Sequence, residues 1–375
     1  VLLPDDVAFR GAEGNPLEKS EAFVHVRCPK CGGAARRETD TMDTFVDSSW
    51  YYLRFLSPRD ATQMIDSGRA ARWMPVDQYV GGIEHAILHL LYARFVCRVL
   101  KDMGVVELEE PFARLFNQGM ITKQNPKTGK IEKMSKSRGN TVSPDELIAR
   151  FGADTVRVYT LFIGPPEKES EWSEDGVLGA QRFLNRVHDL CERVAALPAR
   201  SEPAQPSRGV ARTSLTRLRH QTIQRVTDDA ARFHFHTAIA ALMEFQRGIA
   251  DALESGEESE AGIVDAVRAL LKLLHPMAPH LTEEWWQSFR GEEPDLLVET
   301  RWPTYDADLA ATPRVTLVVQ VNGKVRGRLD VARGAGEPQA LSLAREDARI
   351  KPWLDGKELV RAVFVPDRLL NLVVR

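Results

Sequence analysis

No apolar run in this chain reaches the roughly 18 residues that a membrane span needs, so a transmembrane helix is excluded on sequence grounds. A surplus of one charge is also missing. Lys and Arg total 50 against 53 Asp and Glu, a formal net charge of −3. That balance argues against a polybasic nucleic-acid binder but leaves room for RNA contact through a local patch. Cysteine is scarce, with only Cys28, Cys31, Cys97 and Cys191 in 375 residues. Without an export signal, reduced thiols in the cytoplasm are expected rather than a disulfide framework. The opening VLLPDDVAFRG has no initiator Met, basic n-region or apolar h-region. It is therefore expected to be no signal peptide, but the middle of a longer protein. Internal repeats are absent as well.

What is present is ordinary globular composition, 43% hydrophobic and 27% charged, at a length suggesting two or three domains. Residues 1–60 mix short strand-like runs with turns. QYVGG (Gln78–Gly82) reads as a strand entering a glycine turn, and IEHAILHLLYARFVCRVLKDMG after it carries the helical period up to Gly104. A strand ending in glycine that feeds a helix suits a nucleotide-binding α/β layer. In TVSPDELIARFG, Ser143, Pro144 and Glu146 predict a capped helix start with a capping box. A long helix is expected from Ser173 to Leu197, then a linker PARSEPAQPSRG, then a helical bundle over 212–290. From Val315 the period becomes alternating: a hairpin VTLVVQV-NGK-VRGRLDV, a helix near 337–349, and strands LVRAVFV and LLNLVVR. The predicted division is 1–165, 166–312 and 313–375.

EKMSKSRGN (Glu132–Asn140) gathers two lysines, two serines and an arginine after a turn at Asn125–Gly129. Ammonium groups are compact charges able to follow a moving phosphate chain, and stabilising charge that develops on a leaving phosphate is a large catalytic effect. A solvated charge run before a helix is the ordinary alternative. His85 and His89 stand at i and i+4; a zincin would need Glu after the first, and Ala86 is there. Phe45, Ser48 and Tyr51 in FVDSSWYY are spaced by three, which also fits an aromatic core stripe. Cys28 and Cys31 in CPKCGG read as half of a zinc ribbon or as a glycine-rich turn; a zinc site requires four ligands. Lys324, Arg326 and Arg328 alternate along a predicted strand and so are expected to share one face.

K-M-S-K-S, preceded by G-x-E-H on a strand-to-helix turn and followed by a helical bundle, resembles the class I aminoacyl-tRNA synthetases. The whole chain is similar to the C-terminal portion of the bacterial leucyl-tRNA synthetases. The stretches that carry the likeness include CPKCGGAARRETDTMDTFVDSSWYYLRF, YVGGIEHAILHLLYARF, GADTVRVYTLFIGPPEKESEWSE, HPMAPHLTEEWW and VQVNGKVRG.

The resemblance implies a multi-domain α/β plus α architecture: the second half of a Rossmann-like catalytic domain, an anticodon-binding-type bundle, and a small C-terminal α/β domain. It implies that Lys133 and Lys136 hold departing pyrophosphate, with Met134, Ser135 and Ser137 in the same ATP-binding loop. Gly81 and Gly82 would approach the adenylate by their backbone, and Glu84 would accept from ribose hydroxyls. Phe45, Ser48, Tyr51 and His85 would line the leucine pocket, with His89 packed beneath. Lys324, Arg326 and Arg328 would contact tRNA. ATP and Mg2+ are the implied cofactors, zinc at Cys28 and Cys31 being left open. The partners are tRNA(Leu), leucine and ATP, in a monomer without membrane association.

Two family features are missing from these residues, the His-Ile-Gly-His type motif and an editing domain. The expectation is thus a leucine–tRNA ligase whose activity this chain alone does not complete. A catalytically inactive tRNA-binding module, or a synthetase for valine, isoleucine or methionine, are the alternatives. EHAILH and FVDSS favour leucine.

Overall fold

The structure, a computed structural model, describes residues 1–7, 14–197, 213–256, 258–312 and 314–375. The expected linker at 198–209 lies outside the described residues, as does Pro313. The chain forms two compact units, Val1–Met120 and Ile121–Arg375.

In the first unit, strands His25–Arg27 and Ala34–Arg36 pair antiparallel around the cysteine turn. Strand Tyr79–Gly82 runs parallel to Leu115–Gln118, with Gly82 opposite Gln118, and the helix His89–Asp102 lies between them in sequence. Tyr52, Leu53, Ile65, Ala70, Ala93, Leu100 and Val106 form the core. The helix begins six residues later than its apolar period suggests. Ile83–Ala86 instead makes a 3-10 turn, and Leu88 at φ −118°, ψ −103° is not helical. Gly104, at φ +71°, follows its end as expected. One side of this helix stays outside the core: Leu91, Phe95 and Val99 are exposed, with Ile87 and Met103 beyond the two ends.

In the second unit, strand Ile121–Gln124 pairs antiparallel with Ile131–Lys133 and parallel with Ser170–Glu171. Helix Pro144–Phe151 starts where expected, but Ser143 makes no capping hydrogen bond, so the predicted capping box does not form. Asp145 and Glu146 still place negative charge at its N-terminus. Helix Glu174–Ala195 is capped by Ser173, whose Oγ accepts from the Gly176 N–H at 3.3 Å. Its buried residues Val177, Ala180, Phe183, Leu184, Val187, Leu190, Cys191 and Val194 recur at three and four, one face of a helix. That face packs into a core with helices Ser214–Ala231, Phe235–Ser255, Glu260–Leu274 and Pro279–Trp286, centred on Phe183, Phe245 and Trp286. Burial pushes the Cys191 thiol up to about 12, a structural rather than reactive cysteine.

Asp154 ties helix Ala153–Phe162 to this bundle. Its buried carboxylate accepts from the Leu281 N–H at 2.7 Å and meets His280 Nδ1 at 2.7 Å, while Arg157 donates to the Pro276 and Met277 carbonyls. The last 62 residues have their own core. A four-stranded sheet, ordered Leu359–Val365, Leu369–Val374, Arg314–Val321, Lys324–Ala332, packs on helix Glu337–Glu346.

The basic row on Lys324–Ala332 departs from the simple alternation. Val319 pairs with Gly327 but Gln320 with Val325, so Arg326 is an extra, bulged residue. Lys324 lies opposite buried Val321, whereas Arg328 lies opposite Val318 on the other face. Arg326 instead stacks its guanidinium 3.4 Å over the Trp353 ring. Lys324, Arg326 and Arg328 therefore do not share one face, because the bulge shifts the two-residue period by one.

Candidate active site

The residues expected to bind adenylate and leucine lie in the first unit. Gly81 and Gly82 end the parallel strand, and the chain turns at once into Ile83–Ala86. A Cβ on Gly82 would stand 2.5 Å from a Glu84 carboxylate oxygen, so glycine keeps the strand end open beside that acid. His85 follows, half-buried, with Nδ1 buried and without a hydrogen-bond partner among the described residues.

Around it sits a cluster of rings. Phe45 meets His85 edge-on at 6.0 Å and stacks on Tyr92 at 6.4 Å. His85 lies 6.1 Å from His89, which is itself enclosed by Tyr51 and Tyr79 at 5.7 Å each and by Phe112 at 6.5 Å. Burial, then the neighbouring His85, holds the His89 pKa below its ordinary value. Burial likewise raises the Tyr79 hydroxyl.

Of the four expected pocket residues, Phe45, Tyr51 and His85 thus join one ring cluster. Ser48 is exposed on the Thr44–Ser49 turn. Tyr79, Tyr92 and Phe112 belong to the same cluster, and Tyr52 and Phe55 touch it through Phe112 and Tyr51. Their apolar neighbours in sequence carry no mark that would have singled them out.

The lysine loop lies in the second unit. A turn closed by Gly129, whose N–H donates to the Asn125 carbonyl at 2.8 Å, returns the chain into strand Ile131–Lys133. Lys133 ends that strand opposite Thr122, and Lys136 opens a 3-10 turn, Lys136–Arg138; both lysines are exposed. Met134 is half-buried, its N–H donating to the Ile121 carbonyl at 3.4 Å. The side chain of Ser137 lies outside the described ones. Gly139 adopts φ +68°, the left-handed conformation that an L side chain disfavours, and so folds the chain back. Arg138 approaches Glu132 at 3.5 Å.

The loop is held from beneath by Asn140, only 1% exposed. Its Nδ2 faces the carbonyls of Lys123, Glu132 and Lys133 at 3.1, 3.3 and 3.3 Å, and its Oδ1 accepts from the Ser135 N–H at 2.8 Å. Sequence reasoning did not assign Asn140 a role; the Gly-Asn pair closing the motif was its only signal.

At the cysteine turn, the Cys28 N–H donates to the Gly33 carbonyl and the Gly32 N–H to Cys28, both at 2.9 Å. The backbone N–H groups of Cys31 and then Lys30 lower the Cys28 pKa. No group of three metal-ligating side chains occurs among the described residues, so Cys28 and Cys31 do not by themselves make up the four-ligand set zinc needs.

Residues 10–173 match the family described as tRNA synthetases class I (I, L, M and V), and residues 213–341 match the anticodon-binding domain of tRNA ligase. The strand–turn–helix of the first unit lies within the class I match, and the helices from Ser214 to Trp286 lie within the anticodon-binding match. The chain is 47% identical to a leucine–tRNA ligase of Geobacter sp. (strain M21) and 43% identical to one of Thermosipho melanesiensis. Each match covers 100% of this chain and 45% of the relative.

A solved ternary complex of the Agrobacterium radiobacter K84 agnB2 LeuRS with tRNA and LeuAMS matches at TM-score 0.79 and 36% identity, over 100% of this chain and 46% of that one. A Mycobacterium tuberculosis methionyl-tRNA synthetase structure shares the fold at TM-score 0.51 and 20% identity, over 74% of this chain and 55% of that one. Over its whole length the chain is homologous to leucine–tRNA ligases, with a class I tRNA synthetase domain match followed by an anticodon-binding domain match. It spans about 45% of the length of the curated relatives it matches.

Proposed function

We propose that the chain is the C-terminal portion of a leucine–tRNA ligase, contributing to leucine activation by ATP and to transfer onto tRNA(Leu). The observation that carries this reading is identity of 43–47% to leucine–tRNA ligases along the entire chain. In the first step a leucine carboxylate oxygen attacks the α-phosphorus of ATP in line. The bond to the β-phosphate bridging oxygen breaks, and pyrophosphate leaves with the electron pair. Lys133 and Lys136 hold the charge that develops on it, with Met134, Ser135 and Ser137 in the same ATP-binding loop. Gly81 and Gly82 give the adenylate a close backbone approach, and Glu84 accepts from its ribose.

Phe45, Tyr51 and His85, with Ser48 at the edge, shape the leucine pocket, and an apolar pocket of this kind separates one methylene by only ~1–3 kcal/mol. A terminal ribose hydroxyl of tRNA then attacks the adenylate carbonyl and releases AMP. Bound with ATP, Mg2+ would supply counter-charge to the triphosphate beside Lys133 and Lys136. Zinc at Cys28 and Cys31 would need donors beyond the described residues. Lys324, Arg326 and Arg328 face tRNA phosphates from more than one side of their strand. We read the division as 1–165 catalytic, 166–312 anticodon-binding type and 313–375 tRNA-binding, in a cytoplasmic monomer; no described helix is long and apolar enough to cross a membrane.

The test is leucine-dependent pyrophosphate exchange in a full-length ligase carrying these residues. Lys136→Ala should slow activation by roughly 10²–10³. Leucine affinity should barely change, because the interaction strengthens only as pyrophosphate leaves. Collapsed leucine affinity with a preserved activation rate would overturn the role given to Lys136.

A further inference from the structure

We propose that Asn140 is a positioning residue for the lysine loop, acting on activation through the placement of Lys133 and Lys136 rather than by touching substrate. The proposal rests on the leucine-activating reading of that loop and deepens it. A primary amide has two N–H donors and one carbonyl, and here every one is directed at backbone. The donors face the carbonyls of Lys123, Glu132 and Lys133, and the Oδ1 takes the Ser135 N–H. The side chain therefore bridges the fixed central strand Ile121–Gln124 to both sides of Met134. Lys133 is gripped at its own carbonyl, and Lys136 by the Ser135 amide one residue before it.

After Lys133 the strand pairing ends, and the Met134 N–H makes a long contact, 3.4 Å, to the Ile121 carbonyl. Beyond that point Asn140 takes over the work of a neighbouring strand. Its position depends on Gly139, whose left-handed turn brings residue 140 back under the loop. At 1% exposure the amide has no water to replace these partners, so any change leaves backbone groups unpaired in a dry place.

Aspartate is the discriminating substitution. It has nearly the same shape and can still accept from Ser135, but it has no N–H to offer and sets a carboxylate against three carbonyl oxygens. Misplacement of catalytic charge by about 1 Å can cost on the order of 10²-fold in rate. In a full-length ligase carrying these residues, Asn140→Asp should slow leucine-dependent pyrophosphate exchange by roughly 10- to 100-fold. Leucine affinity and the transfer of leucine from preformed adenylate to tRNA should be unchanged.

The decisive measurement is a double-mutant cycle with Lys136→Ala. If Asn140 works by placing both lysines, Asn140→Asp should slow Lys136→Ala by a smaller factor than it slows the parent enzyme, the remainder passing through Lys133. Independent, multiplying effects would overturn the proposal. So would an Asn140→Asp enzyme of normal activation rate beside a slow Lys136→Ala. Normal activation in Lys136→Ala itself would overturn the underlying reading of the loop, a separate result. Should Asn140→Asp fail to bind leucine, Asn140→Ser, which keeps a small donor and acceptor, is read in the same cycle. In the 375-residue chain, hydrogen exchange should find the Ser135 amide protected and the protection lost in Asn140→Ala; an unprotected Ser135 amide would also overturn it.

Discussion

His89, His220 and His275 are all held below the ordinary histidine pKa, each chiefly by burial. Secondary influences differ: His85 lowers His89 further and Arg219 lowers His220, while Asp306 opposes the shift at His220, and Glu283 and Asp154 oppose it at His275. The unfolded chain, whose histidines titrate near about 6.5, binds protons before the folded chain does. Its proton count is the higher one as pH falls through that value, so folding stability must decline with it. The Tm of the chain should therefore drop between about pH 7.5 and 5.5, before carboxylates begin to titrate. His89→Phe should flatten that slope, since the ring sits among aromatic neighbours and its Nδ1 has no hydrogen-bond partner among the described residues. An unchanged slope in His89→Phe would mean that the other two histidines account for the pH dependence.

At the scale of elements, Asp154 is where one helix is fastened to another. Removing its carboxylate strands the Leu281 N–H at a helix start and leaves His280 without its acceptor. Asp154→Ala should cost about 1.5–3 kcal/mol, the range for hydrogen bonds to a charged group, read as a lower urea midpoint with unchanged m. Asp154→Asn keeps an acceptor for Leu281 and should lose less. Elements of this bundle were legible because their signals are local. Ser173 before Glu174, and apolar residues returning every three or four positions to Val194, describe a capped helix whatever surrounds it.

The alternation over Ala362–Val365 and Leu369–Val374 was legible for the same reason, whereas the register shift between Leu359 and Arg361 was not. The bulge at Arg326 was not, because inserting one residue into a ladder leaves the composition of the strand untouched while turning its side chains over. The late start of His89–Asp102 escaped too, since residues 83–88 keep a helical pattern while Leu88 leaves the helical region. The ring cluster joins residues 40 apart, and Asn140 reaches a strand 17 residues away. Period and spacing carry nothing across such distances; at Phe45 and His85 it was family resemblance that pointed to them.

For the molecule as a whole, the C-terminal sheet with its own core offers a separable test. Deleting residues 314–375 from a full-length ligase should leave pyrophosphate exchange nearly intact and weaken aminoacylation through tRNA affinity. Neutralising Lys324 and Arg328 should flatten the salt dependence of tRNA binding by up to about two units of slope. Unchanged tRNA affinity after the deletion would leave the segment a structural cap.

The apolar side of His89–Asp102 bears on how the chain behaves in a test tube. Leu91, Phe95 and Val99 are 52%, 66% and 38% exposed, beside a parallel sheet that has two strands among the described residues. Parallel sheets are normally covered on both faces, and an open strand edge is a template for another. The purified chain should consequently be sticky. Light scattering should rise with protein concentration and with added sulfate, which strengthens apolar association. Phe95→Lys with Val99→Lys should suppress the scattering while leaving the far-UV spectrum as it was. That outcome would make one helix face, rather than the net charge of −3, the handle on how the chain keeps in solution.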